Sequence, residues 1–191
     1  MRRWLQRINR GIILLILLVV GVVVYCCIDA YHHRAQRDRI EEVVVRHIEE
    51  STVLYTFPDI PNVSPQDASE LSEQHIDSLY ERAFALSHDL SSNEAIRQEI
   101  ANQYVTMLQR VTIYFRKFPT TCTREVVSFH VEEIYHDSAI VRLEIENKFT
   151  LTDEDGKSHV DSINSIEYYY LLVENDEWKI YSIESDISEI L

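Results

Sequence analysis

Ala139-Ile140-Val141-Arg142-Leu143-Glu144-Ile145-Glu146 is the stretch on which the fold turns. Side chains alternate across an extended chain, so Ala139, Val141, Leu143 and Ile145 share one face while Arg142, Glu144 and Glu146 share the other. One dry face and one wet face is the pattern of an antiparallel strand covered on a single side. Upstream, from Cys122, Val127, Phe129 and Val131 alternate with polar partners, and His136-Asp137-Ser138 turns the chain into the quoted stretch. Downstream, Thr152-Asp153-Glu154-Asp155-Gly156-Lys157 reads as a hairpin turn, with Gly156 free to take φ > 0. A third strand over 158–173 puts Ile166, Tyr168, Tyr170 and Leu172 on one side. Glu174 to Glu177 turns into a last strand, Trp178 to Ile183. Turns this short make sequential strands neighbours, which predicts a four-stranded antiparallel meander.

The segments before Cys122 read with a period of 3.6. Ser64-Pro65 is a helix start, serine as N-cap and proline at the first helical position. Ala68, Leu71, His75, Leu79, Ala83, Phe84 and Leu86 then form an apolar stripe to about residue 89. Ser91 and Glu94 have the spacing of a capping box. Ile96, Ile100, Tyr104, Met107, Leu108, Val111 and Phe115 line one side of the helix that follows, which stops by Pro119. Two apolar helix stripes and one apolar sheet face must cover each other. The expectation is an α+β domain over 65–191, helices packed on a curved four-stranded antiparallel sheet.

Helices followed by a long-stranded meander ending in Asn175-Asp176-Glu177-Trp178-Lys179-Ile180-Tyr181-Ser182-Ile183 resemble the nuclear-transport-factor-2-like (NTF2-like) branch of the cystatin-like superfold, over about residues 65–186. That resemblance implies a cone of helices and sheet that in some members holds a ligand pocket and in some an isomerase or dehydratase site.

Before residue 54 the chain has another character. Gly11 to Ile28 contains neither charge nor proline. As a helix, about 18 residues rise roughly 27 Å, close to a bilayer's hydrocarbon core. Tyr25-Cys26-Cys27-Ile28-Asp29 lacks the small-x-small pattern of a cleavage site, so an uncleaved signal anchor is expected. Arg2, Arg3, Arg7 and Arg10 precede the span, and Arg34, Arg37 and Arg39 with Asp29 and Asp38 follow it. The positive-inside rule then places residues 1–10 in the cytoplasm and the C-terminal domain outside a cell membrane crossed once. Residues 29–53 read as a helical stalk whose stripe of Ile40, Val43, Val44, His47 and Ile48 either pairs with a second copy or lies on the domain. Three prolines in 54–65 mark a linker over 54–64. A cytoplasmic tail, one span and an outer domain of this kind also resemble the bitopic assembly subunit of type IV secretion and conjugation machines.

Composition narrows the function. The 191-residue chain has net charge −14. All 32 acidic residues lie beyond residue 28, with 14 of the 18 basic ones, so the exported part carries about −18. Such a surface repels nucleic acid. One cysteine, Cys122, follows the span, so the domain has no internal disulfide to rely on. One glycine, Gly156, follows it too, which excludes Gly-rich phosphate loops and dinucleotide fingerprints. No nucleophile elbow, HExxH or CxxC motif appears. His130, Glu132, Glu133, His136 and Asp137 gather near one turn, but alternation and loop position do not bring three ligands to one point. A pocket enzyme on this fold would need a buried carboxylate opposite a donor; Asp161, Glu167, Tyr168 and Tyr170 are the third-strand candidates. The reading that fits the whole chain is a non-enzymatic, membrane-anchored interaction or scaffold protein, with neither cofactor nor metal. Protein partners or self-association would use Ile40, Val44, Tyr168 and Tyr170. The alternative is a membrane-tethered domain with a small-ligand-binding or enzymatic pocket.

Overall fold

A computed structural model describes residues 10–56, 73–85, 89–115, 119–152 and 155–186. The chain divides into two compact units, Met1–Arg39 and Ile40–Leu191.

In the first unit, helix α1 (Arg10–Ser51) begins, and from Ile13 through Ile28 its large apolar side chains are exposed on all sides; Leu14 and Leu17 are 67% and 66% exposed. Among the described residues this is the one helix long and apolar enough to cross a membrane. A helix satisfies its own backbone hydrogen bonds, as a lipid environment demands. The chain is thus compatible with single-pass anchoring.

The second unit is an α+β domain. It holds the last turns of α1, a 3-10 turn (Thr52–Tyr55), helices α2 (Glu73–Ala85) and α3 (Glu94–Phe115), and strands β1 (Thr121–Ile134), β2 (Ser138–Thr152), β3 (Ser158–Glu174) and β4 (Glu177–Asp186). The strands form one antiparallel sheet in the order β1-β2-β3-β4, the meander that the short turns predict. Gly156 takes φ +75 in the β2–β3 turn. Asn175 and Asp176 take φ 52 and 65 in the two-residue β3–β4 turn, a conformation these residue types tolerate better than most.

Strand β2 alternates over its whole length, with Ala139, Val141, Leu143, Ile145, Asn147, Phe149 and Leu151 inward. The helices present the matching stripe: Ile96, Ile100, Tyr104, Met107, Leu108 and Val111 of α3 are buried, with Phe115 packed against them.

Three details differ from the sequence reading. In β1 the face changes at a bulge between Val126 and Ser128, so Val126 faces Ile145 across the sheet and Val127 is 64% exposed. The inward β1 residues are Cys122, Arg124 and Val126 before the bulge, and Phe129 and Val131 after it. On β3 the core face is Ile163, Ser165, Glu167, Tyr169 and Leu171; Ile166, Tyr168, Tyr170 and Leu172 share the outer, half-buried face. The cap of α3 is Asn93, whose Oδ1 accepts the Ala95 N–H at 3.0 Å, while Ser91 Oγ donates to Glu174. Ser64-Pro65, Ala68, Leu71, Leu86 and most of the 54–64 linker lie outside the described residues.

Candidate functional site

The interior of the domain is polar at its centre. Four inward positions on three strands carry Arg124, Asn147, Ser165 and Glu167, all buried. Register explains how they meet. Arg124 stands opposite Asn147 on β1 and β2, and Ser165 of β3 lies diagonally from Asn147, two residues beyond its partner Ile163 and on the same face.

Arg124 Nη2 donates to Glu167 Oε1, in an ion pair whose side chains are 0% and 1% exposed. Its Nε donates to Asn147 Oδ1 at 3.0 Å and its Nη1 to Ser51 Oγ at 2.9 Å. The guanidinium also lies 4.8 Å from the centre of the Tyr55 ring, a cation–π distance. Glu167 accepts a further bond from Ser165 Oγ at 3.3 Å and one from Tyr169 Oη at 2.9 Å. Asn147 Nδ2 donates to Ser165 Oγ at 2.9 Å and to the Ile163 carbonyl at 3.2 Å. Beside this network His47 Nε2 and Tyr104 Oη lie 2.6 Å apart, and Tyr55 Oη donates to Met107 Sδ at 3.6 Å.

The electrostatics follow from burial and pairing. Burial opposes the Arg124 charge, but the adjoining Glu167 carboxylate prevails and holds the guanidinium's pKa well above its ordinary value. Burial raises the phenols of Tyr55, Tyr104 and Tyr169, which stay protonated. It pushes the Cys122 thiol up to about 12, so that thiol is no nucleophile at neutral pH.

The residues singled out from sequence are dispersed. Ile40 and Val44, whose stripe was expected either to pair with a second copy or to lie on the domain, are 0% exposed and packed in the core of the second unit with Ile48. Tyr168 and Tyr170 lie on the outer sheet face, across from Arg142 and Ile140 of β2, and Tyr170 Oη donates to Glu184 at 3.2 Å. Asp161 is exposed, 3.5 Å from His159. His130, Glu132, Glu133, His136 and Asp137 are all exposed, and Glu133 accepts a bond from Tyr135 Oη at 2.9 Å. No cluster of three or more His, Cys, Asp or Glu among the described residues is placed to hold a metal ion. His33 sits 3.9 Å from Asp29 on the exposed part of α1.

Of the third-strand candidates only Glu167 reaches the interior. Its partners Arg124 and Ser165, and Asn147 and Ser51, which Arg124 also bonds, were not singled out. The signal for two of them lies in the alternation itself. Asn147 interrupts the inward series between Ile145 and Phe149, and Ser165 and Glu167 interrupt it between Ile163 and Tyr169. Polar residues at core parity mark a buried network, since a buried polar group is costly unless bonded.

No family model matches the chain, and no curated protein does. Solved structures do resemble it. A protein from Novosphingobium aromaticivorans named for aromatic-ring hydroxylation is 11% identical, with TM-score 0.44, covering 80% of this chain and 88% of its own. An NTF2-like superfamily protein from Salmonella enterica is 14% identical, with TM-score 0.40, covering 64% of this chain and 89% of its own. The intermembrane-space region of the chloroplast protein ARC6 is 12% identical, with TM-score 0.39, covering 78% of this chain and 95% of its own.

Proposed function

We propose that this chain is a membrane-anchored interaction protein without catalytic activity of its own. One apolar helix tethers the α+β domain on the extracytoplasmic side of a cell membrane. The domain works by holding a protein partner on the outer face of its sheet, around Tyr168 and Tyr170. Its place is in a larger membrane or envelope assembly of the conjugation or secretion type.

The observation that carries this reading is the state of Glu167. A general acid or base must come within hydrogen-bond reach of the proton it moves. Glu167 is 1% exposed and is engaged by Arg124, Ser165 and Tyr169. The carboxylate on which a pocket enzyme of this fold would depend is thus committed to structure. The outer face supplies what an interaction surface needs: half-buried aromatic and aliphatic side chains, Tyr168, Tyr170, Ile140 and Ile166, beside Arg142. Tyrosine and arginine are enriched where proteins bind each other.

The test is photo-cross-linking in native membranes, with the photoreactive residue at position 168 and, as control, at Val127, which is exposed on β1. A discrete protein adduct from 168, absent from 127, supports the reading. Equal labelling from both positions, or none from 168 in a folded chain, overturns it.

A further inference from the structure

A second surface lies at the edge of the sheet. β4 ends the strand order, so one of its sides faces no further strand. At its start that side is occupied: Ile180 N–H donates to the Asp89 carbonyl at 2.8 Å, and the Ile180 carbonyl accepts the Ser91 N–H at 2.9 Å. Leu90 thereby forms a short parallel bridge on Ile180. From Ser182 to Asp186, among the described residues, no backbone hydrogen bond closes this edge. An open edge is a template for another extended chain. The opposite edge, β1, is broken by two bulges, which blunt it as a template.

Beside the open β4 segment runs a cleft of about 380 Å³ between α3 and β4. Its floor is apolar, made by Ile100, Tyr104, Met107 and Ile183. Two lining residues, Gln103 and Ser185, each hold a buried oxygen, Oε1 and Oγ, with no hydrogen-bond partner among the described residues. Such groups cost free energy until a donor reaches them. The charged lining is Glu99 and Glu184 against Arg110, and the exposed Asp186 follows at the end of the strand.

We propose that the cleft between α3 and the open edge of β4 binds an extended basic peptide segment of a partner protein, which continues the parallel pairing that Leu90 begins. Main-chain groups of the segment add to the edge, as in β-strand addition, and give affinity. An N–H of the segment satisfies Gln103 Oε1. Alternate side chains settle on the floor, and lysine or arginine side chains meet Glu99 and Glu184. The net negative charge beyond residue 28 likewise favours a basic partner and speeds its approach. Glu184, opposite Tyr168, borders the outer face; the remaining lining comes from α3 and from Ile183 and Ser185.

The test uses the full chain in detergent micelles and two fluorescein-labelled peptides, KVTVKV and EVTVEV, in anisotropy titrations at low salt. The expected result is saturable binding of KVTVKV at least ten-fold tighter than of EVTVEV. Glu99→Lys with Glu184→Lys is expected to reverse that preference, which also shows that the variant is folded. Amide exchange over 182–186 is expected to slow when KVTVKV binds. Ile140→Asp, which alters the outer face on β2, two strands from β4, is expected to leave the titration unchanged, so the two surfaces fail separately. Absence of saturable KVTVKV binding overturns the proposal. So does binding that the charge reversal does not alter, or binding without slowed exchange at 182–186, since each marks a diffuse attraction to the acidic surface.

Discussion

Arg124 carries its charge at 0% exposure, and Glu167, Asn147 and Ser51 surround it with acceptors. Removing one member of a buried pair leaves the other uncompensated, which typically costs about 3–5 kcal/mol. Arg124→Met and Glu167→Leu, each alone, are therefore expected to lower the unfolding midpoint by roughly 6 °C or more in thermal melts of the full chain. The double variant, with two apolar side chains of similar volume, is expected to regain part of that loss. Cys122 gives a pH test. Burial holds its thiol up to about 12, whereas an unfolded thiol ionises near about 8.5. The folded chain keeps this proton where the unfolded chain has lost it. The contribution is intact below the unfolded value and is lost as pH rises through the folded one. Stability should decline over that alkaline window, and Cys122→Ala should flatten the decline; an unchanged alkaline limb would refute the assignment.

At the scale of elements, the bulge at Val127 and the cap at Asn93 make contrasting predictions. Val127→Ala should change stability by no more than about 0.5 kcal/mol, because the side chain is exposed, whereas Phe149→Ala should cost about 3–5 kcal/mol. Asn93→Ala should cost about 1 kcal/mol and Glu94→Ala much less, as read from denaturant midpoints. Glu174 ties the β3–β4 turn to the chain ahead of α3. Ser91 Oγ and the Ser92 N–H donate to its carboxylate and hold its pKa below the usual range. That contribution is present above the unfolded pKa and disappears as pH falls through the folded one, so Glu174→Gln should flatten the acid limb. The elements themselves were largely legible: β2, the hairpin at Gly156 and the buried stripe of α3 follow from period and turn chemistry. The parity of β1 and β3 was not. A bulge inserts one residue without a sequence signal as plain as glycine. On β3 the tyrosines at outer parity are more hydrophobic than the serine and glutamate at inner parity, so the alternation pointed outward. The interior network was hidden for the same reason, since pairing across strands decides which polar residues can be buried, and pairing is not written in a single strand.

For the whole molecule, Ile40 and Val44 are buried inside the second unit, and under the proposed function interaction falls to the sheet. The apolar, lipid-compatible surface of α1 predicts that the protein resists extraction by alkaline carbonate and is released by detergent. Replacing Leu14 and Leu17 by lysine should move it to the soluble fraction, each charge costing about 2.5–3.5 kcal/mol at mid-bilayer. The central claim is that the buried ion pair serves the fold and the outer face serves the partner. The most direct measurement is adduct yield from a photoreactive residue at position 168 in native membranes, for a chain that also carries Arg124→Met and Glu167→Leu and is shown to be folded by its melt. The same adduct is expected, at an unchanged yield. Loss of the adduct from that folded variant would contradict it and return the function to the interior.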